Sequence, residues 1–240
     1  MIASVQNPHI VRSYDDDLHR LRSLITQMGA LCDAQLTGAA DAIADTDAAG
    51  ALAVVKLDAQ VDTLHAEAEA AAVSIFMRHA PLADDLREVV ATLKIAGWLE
   101  RAADHAKNVA KRAAVLATLD AAPAATLVAE LATRAKHVLR DALSVYVDRD
   151  AVEAIAVIAD DRAIDALYEQ VFDDLLAYAT AHPASFAAII HLQFIAKNFE
   201  RIGDEATNIA EQVRFAVTGE TAEPRDTTGT STPLPVLSAG

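Results

Sequence analysis

The chain has 240 residues, 53% of them hydrophobic but only 5% aromatic, with a net charge of −15 and a single cysteine, Cys32. An acidic balance of that size argues against nucleic acid, which needs a basic surface to neutralise phosphates, and against docking on an anionic membrane. One cysteine excludes an internal disulfide framework and fits a reducing compartment.

Alanine supplies much of the apolar count, and only 8 Gly and 7 Pro interrupt the chain. Alanine is the best helix former and weak in strands, so an all-α protein is expected. Helical periodicity runs from Tyr14 to Val217. Asp45-Thr46-Asp47 separates a first long helix from a second, and His79-Ala80-Pro81 ends the second. Pro81 suits the first turn of a third helix, with Asp84 and Asp85 complementing its N-terminal dipole. That third helix is expected from Leu82 to Leu119, roughly 55 Å at about 1.5 Å per residue, and Ala121-Ala122-Pro123 closes it. Asp148-Arg149-Asp150 divides a fourth helix from a fifth, and His182-Pro183 a fifth from a sixth. Beyond Thr218 the chain turns to Thr, Pro and Gly, the composition of a disordered tail over 218–240. No apolar run approaches the roughly 20 residues needed to span a bilayer, so no direct membrane insertion is expected. The opening MIASVQNPHIVRSYDDD has no signal-like apolar stretch. A soluble cytoplasmic protein is the expectation.

Six helices with matching punctuation point to a duplication. Residues 45–62 and 148–165, at an offset of 103, share eight identities in eighteen positions; 92–113 and 192–213, at an offset of 100, share eight in twenty-two. The expected architecture is two tandem antiparallel three-helix bundles, over 1–120 and 121–217.

The duplicated segments repeat a line of oxygens. WLERAADHAKNVAKRA carries Glu100, Asp104 and Asn108; NFERIGDEATNIAEQV carries Glu200, Asp204 and Asn208. At about 100° per residue, Ile95, Leu99, Ala102, Ala106, Ala110 and Ala113 form the core stripe of the third helix. Ala188, Leu192, Ile195, Phe199, Ile202, Ala206, Ala210 and Val213 do so in the sixth. The acids then stand beside the stripe, on an outer face. Asp58 with Asp62, and Asp161 with Asp165, form a companion pair on the second and fifth helices. There the core stripe of the second helix is expected through Leu57, Leu64, Ala68, Ala71 and Ile75.

Two readings follow. The acids are solvated or paired with Arg101, Arg201, Lys107 and Lys111, each pair worth a few tenths of a kcal/mol. Alternatively, four carboxylates meeting at a seam repel one another until a hard, oxygen-seeking cation such as Mg, Mn or Fe relieves them. His65 and Glu69 read as peripheral surface residues, and Cys32 as packed. A ferritin-like di-iron enzyme would need Glu-x-x-His pairs, but Ala103 and Gly203 stand where those histidines belong. The helix face around Met28 and Gly29 is a candidate dimer contact.

These segments, with YDDDLHRLRSLITQMGALCDAQL near the start, resemble the PhoU family over about His9 to Val217. The second half keeps the family's Glu-Arg-Ile-Gly-Asp run unaltered, while the first reads Glu-Arg-Ala-Ala-Asp and spares both acids. The resemblance implies a cytoplasmic, dimeric, non-enzymatic negative regulator of phosphate uptake and phosphate-starvation signalling. Its implied partners are the ATPase of a phosphate ABC transporter and a phosphate-sensing histidine kinase. It also implies multinuclear metal, divalent or trivalent, on acidic helix faces. Transferred to this chain, the ligands are Asp58, Asp62, Glu100 and Asp104 in one half, and Asp161, Asp165, Glu200 and Asp204 in the other.

Overall fold

Asp47 and Asp150 start the second helix of each half by the same device. The residue before each is left-handed, Thr46 at φ 56° and Arg149 at φ 55°, which ends the incoming helix. The aspartate then caps the next: Asp47 accepts from the Ala49 amide, and Asp150 from those of Val152 and Glu153.

A computed structural model describes residues 8–119 and 122–221. Every element among these residues is helical. The first half holds α1 (Pro8–Ala44), α2 (Ala48–His79) and α3 (Asp84–Leu116). A single turn, α4 (Ala122–Ala125), leads to α5 (Ala129–Asp148), α6 (Ala151–Ala181) and α7 (Phe186–Thr218). The six long helices thus form two antiparallel three-helix bundles in tandem, as expected.

Two helix ends differ from the sequence reading. Pro81 lies ahead of α3 rather than in its first turn, because Ala83 takes a left-handed φ of 50° and the helix opens at Asp84. At its other end α3 stops at Leu116, giving 33 residues and about 50 Å. Pro123 does not close α3 but sits inside α4. Gly219, at φ 77°, caps α7. Residues 222–240, most of the expected disordered tail, lie outside the described residues.

Within each half the three long helices pack on one another, and α3 lies antiparallel along α7, joining the halves. The direction follows from cross-contacts: Lys94 over the Phe215 ring, His105 against Asn198, Arg112 over the Phe194 ring. As the central pair, α3 and α7 bury a second row beside the expected stripe, including Ala96 and Ala103, and Ala196 and Gly203. Small residues here allow close approach on two sides.

Two other expectations change. The buried stripe of α2 runs through Ala51, Val54, Asp58, Val61, Ala68, Ala72 and Ile75, so Asp58 lies on it and Leu57 and Leu64 flank it. Alanine and valine occur all round this helix, and periodicity gave little to fix its face. The Met28–Gly29 face is not free for a dimer. Met28 is fully buried, and a Cβ on Gly29 would stand 2.4 Å from Leu143 on α5. Cys32 is packed as expected: its thiol donates to the Leu99 carbonyl, and burial pushes its pKa up to about 12.

The halves solve one packing problem in two ways. In the second, Gly203 leaves room for Ile164, whose Cδ1 would be 2.6 Å from an added Cβ. The duplicated positions in the first half are Ala103 and Val61, with the methyl group moved across the contact. Gly203→Ala should therefore destabilise by about 1–3 kcal/mol despite its better helix propensity. Adding Ile164→Val should recover most of that loss. Urea unfolding of both variants checks this; a fully stable Gly203→Ala single variant would contradict it.

Candidate metal centre

Packing α2 on α3 and α6 on α7 brings the eight predicted acids into two seams. They are not all on an outer face. Asp58 and Glu200 are buried, at 8% exposure each; Glu100, Asp104, Asp161 and Asp204 are half-buried, and Asp62 and Asp165 exposed. Asp58 is drawn inward by the rotation of α2 already described. Glu200 follows Phe199 into the groove beside α6, because α7 is covered on three sides.

In the first seam a lysine holds the acids together. The Lys107 ammonium donates to Asp58 at 2.6 Å and also to Asp104, bridging α2 and α3. Burial works against its charge, but the two carboxylates more than offset it and raise its pKa above the ordinary lysine value. Glu100 stays short of a partner: burial, then Asp104, Asp62 and Asp58, raise its pKa, with His65 opposing. His65 lies 3.9 Å from Glu69. Among the described residues Arg101 pairs with no acid; its guanidinium stacks 4.7 Å over the Trp98 ring.

The second seam is built differently. The position of Lys107 is taken by Thr207, whose hydroxyl donates to Asp161 at 3.0 Å. The seam's lysine comes instead from Lys197, where the first half has Gly97. Lys197 reaches one oxygen of Glu200 at 2.6 Å and lies 5.0 Å over the Tyr168 ring. The other Glu200 oxygen, Oε2, is buried without a hydrogen-bond partner. One oxygen each of Asp165, Glu200 and Asp204 lies within 4.8 Å of the others. Burial, Asp161 and Glu200 raise the Asp165 pKa, with Lys197 opposing.

This donor set fits a hard cation. Oxygens sharing an ion at about 2.0–2.4 Å lie no more than about 4.8 Å apart, and a buried orphan carboxylate oxygen is what such an ion would satisfy. Sequence reasoning assembled the acids and named Lys107 as a partner for them, but missed Lys197. The signal was present in the offset of 100, which sets Lys107 against Thr207 and Gly97 against Lys197. It also missed the polar contact between halves, where half-buried His105 meets Asn198 at 3.2 Å and the buried Glu205, its own duplicate, at 3.9 Å. Burial lowers the His105 pKa.

The duplication is also what known proteins carry. The PhoU domain model matches twice, over residues 25–113 and 128–213. The chain belongs to the PhoU family. It is 42% identical over 212 residues to the phosphate-specific transport system accessory protein PhoU homolog of Zymomonas mobilis, covering 88% of this chain and 90% of that one. A PhoU homolog of Caulobacter vibrioides is 41% identical over 215 residues, 88% and 93% of the two chains. The crystal structure of PhoU from Pseudomonas aeruginosa superposes with a TM-score of 0.84 at 29% identity, covering 86% of this chain and all of that one.

Asp165 gives a test with a worked sign. A carboxyl whose pKa rises on folding binds protons more tightly in the native state, so its contribution lowers stability as pH climbs above the ordinary carboxylate range. At neutral pH Asp165→Asn should thus raise the Tm of chelator-treated protein and shrink the further rise on adding Mn²⁺. Differential scanning calorimetry reads both; an unchanged response to Mn²⁺ would remove Asp165 from the ligand set.

Proposed function

We propose that this protein is a cytoplasmic negative regulator of phosphate uptake and phosphate-starvation signalling, acting as a metal-loaded adaptor rather than an enzyme. The observation that carries the reading is the convergence of Asp165, Glu200 and Asp204 in a chain whose relatives are named phosphate-specific transport accessory proteins. In support, no helix among the described residues is long and apolar enough to cross a membrane.

When bound, a divalent or trivalent cation (Mg, Mn or Fe) would supply fixed positive charge and open coordination positions. The chain's own residues do the rest. Asp165, Glu200 and Asp204 hold the ion on the second seam; Asp161 is kept in place by Thr207. On the first seam Asp62 and Glu100 are the available ligands, while Lys107 occupies Asp58 and Asp104. The rigid α3–α7 wall fixes the two seams relative to each other. A phosphate ABC transporter ATPase and a phosphate-sensing histidine kinase are the partners such a platform would join, with a homodimer presenting more seams. The ferritin-like alternative is disfavoured because Ala103 and Gly203 are buried where a second ligand would be needed. A metal-free interaction module leaves the Glu200 orphan oxygen unexplained.

Deleting the gene should raise phosphate-starvation gene expression several-fold in phosphate-rich medium. Complementation with the parent should restore repression, and an Asp165→Asn/Glu200→Gln/Asp204→Asn variant should not. A reporter that stays silent in the deletion would contradict the regulatory role; full repression by the triple variant would contradict the role of metal.

A further inference from the structure

A second polar cluster lies away from both seams, where α1, α3, α5 and α7 meet. A cavity of about 250 Å³ there is lined by His19 and Arg22 of α1, Glu88 and Thr92 of α3, and Tyr146 and Arg149 at the end of α5. Glu88 is buried at 8% exposure and sits between the arginines: Arg22 donates to one oxygen through Nε at 2.7 Å and through Nη2, and Arg149 approaches the other at 2.5 Å. Both guanidiniums remain partly open to solvent, at 35% and 43% side-chain exposure.

This is more than a clamp between helices. Two guanidiniums carry ten N–H donors, and one carboxylate occupies only a few of them. The local charge is one positive in excess, before any contribution from His19. Tyr146 Oη is buried beside Thr92 with no partner within full hydrogen-bond criteria. Burial pushes the phenol up to about 12, against the opposing effects of Thr92 and the two arginines. Ile95 and Val213 add apolar groups to the lining.

The duplication supplies an internal control. An offset of 103 sets Ile43, Ala44 and Thr46 against Tyr146, Val147 and Arg149, and an offset of 100 sets Ala188 and Leu192 against Glu88 and Thr92. Ile43, Ala44 and Thr46 also line a cavity, of about 310 Å³, whose charged lining residues are one of each sign, Asp41 and Lys136. The fold therefore closes that corner without two arginines, a buried carboxylate or a tyrosine. The cluster at the α5 end is a local addition, not a requirement of the architecture.

We infer that this cavity binds a small divalent oxyanion, of the inorganic phosphate class, between Arg22 and Arg149. Glu88 ties the two guanidiniums together, and both arginines line the cavity with N–H groups to spare. With Tyr146 and His19 in the same lining, the donors outnumber what one planar carboxylate takes up, which suits a tetrahedral anion. The inference does not rest on the metal reading, since none of the eight seam acids lines the cavity.

Isothermal titration of inorganic phosphate, sulfate and acetate into the full-length, chelator-treated protein tests it. Saturable binding of phosphate is expected, with acetate weaker. An equal response to sulfate would support a site for divalent oxyanions as a class. Arg149→Ala should weaken binding by about tenfold or more, while Tyr146→Phe, which removes only a hydroxyl, should weaken it less. An Asp165→Asn/Glu200→Gln variant should bind as the parent does. Helical circular dichroism confirms folding of each variant. The inference is overturned if phosphate gives no saturable signal, if acetate alone binds, or if Arg149→Ala keeps the parent's affinity.

Discussion

Carboxylates one helical turn apart, on helices packed side by side, repel one another and lose water as the helices close. The fold imposes this strain twice. Its core demands that α2 lie on α3 and α6 on α7, and the same packing turns Asp58 and Glu200 inward with their neighbours. Something positive must then enter each seam. The first seam takes a tethered cation, the Lys107 ammonium. The second has a lysine too, but Lys197 donates to only one oxygen of Glu200 and leaves the other, Oε2, buried without a hydrogen-bond partner where Asp165, Glu200 and Asp204 converge. Burial of an unpaired carboxylate oxygen is costly, and it persists here because the surrounding apolar contacts hold α7 in place.

The duplication turns each half into a comparison for the other. Where packing is at stake, the halves can differ by compensating changes, as with Ala103 and Val61 against Gly203 and Ile164. Where chemistry is at stake they place their charges differently. Lys107 becomes Thr207, and the arginine-lined corner at Tyr146 and Arg149 becomes the Ile43 and Thr46 corner. Membership of the PhoU family accounts for what the halves share. The differences between the halves show where this chain has placed charge deliberately in one and not the other.

Much of this was legible before the fold was seen. The two Asp-x-Asp turns located helix boundaries because a cap and a left-handed residue leave strong local signals. The stripes of α3 and α7 were readable because leucine, isoleucine and phenylalanine mark one side. The burial of Asp58 was not, since α2 is apolar on several faces and only its neighbours choose among them. Pro81 misled because proline fits a helix start, and the left-handed Ala83 that delays α3 has no sequence signature. The Arg22, Glu88 and Arg149 cluster was invisible because its members are more than sixty residues apart, two on different helices and one in the turn after a third. Periodicity assigns a residue to a face; it does not say which faces meet.

The most direct test of the account is a metal-edge anomalous diffraction map of crystals grown with Mn²⁺, for the parent and for Lys107→Thr. The account predicts a peak bonded to Asp165, Glu200 and Asp204 in the parent, and a stronger first-seam peak beside Asp58 and Asp104 once the lysine is gone. No density at the second seam in either crystal, with the three side chains turned apart, would contradict it.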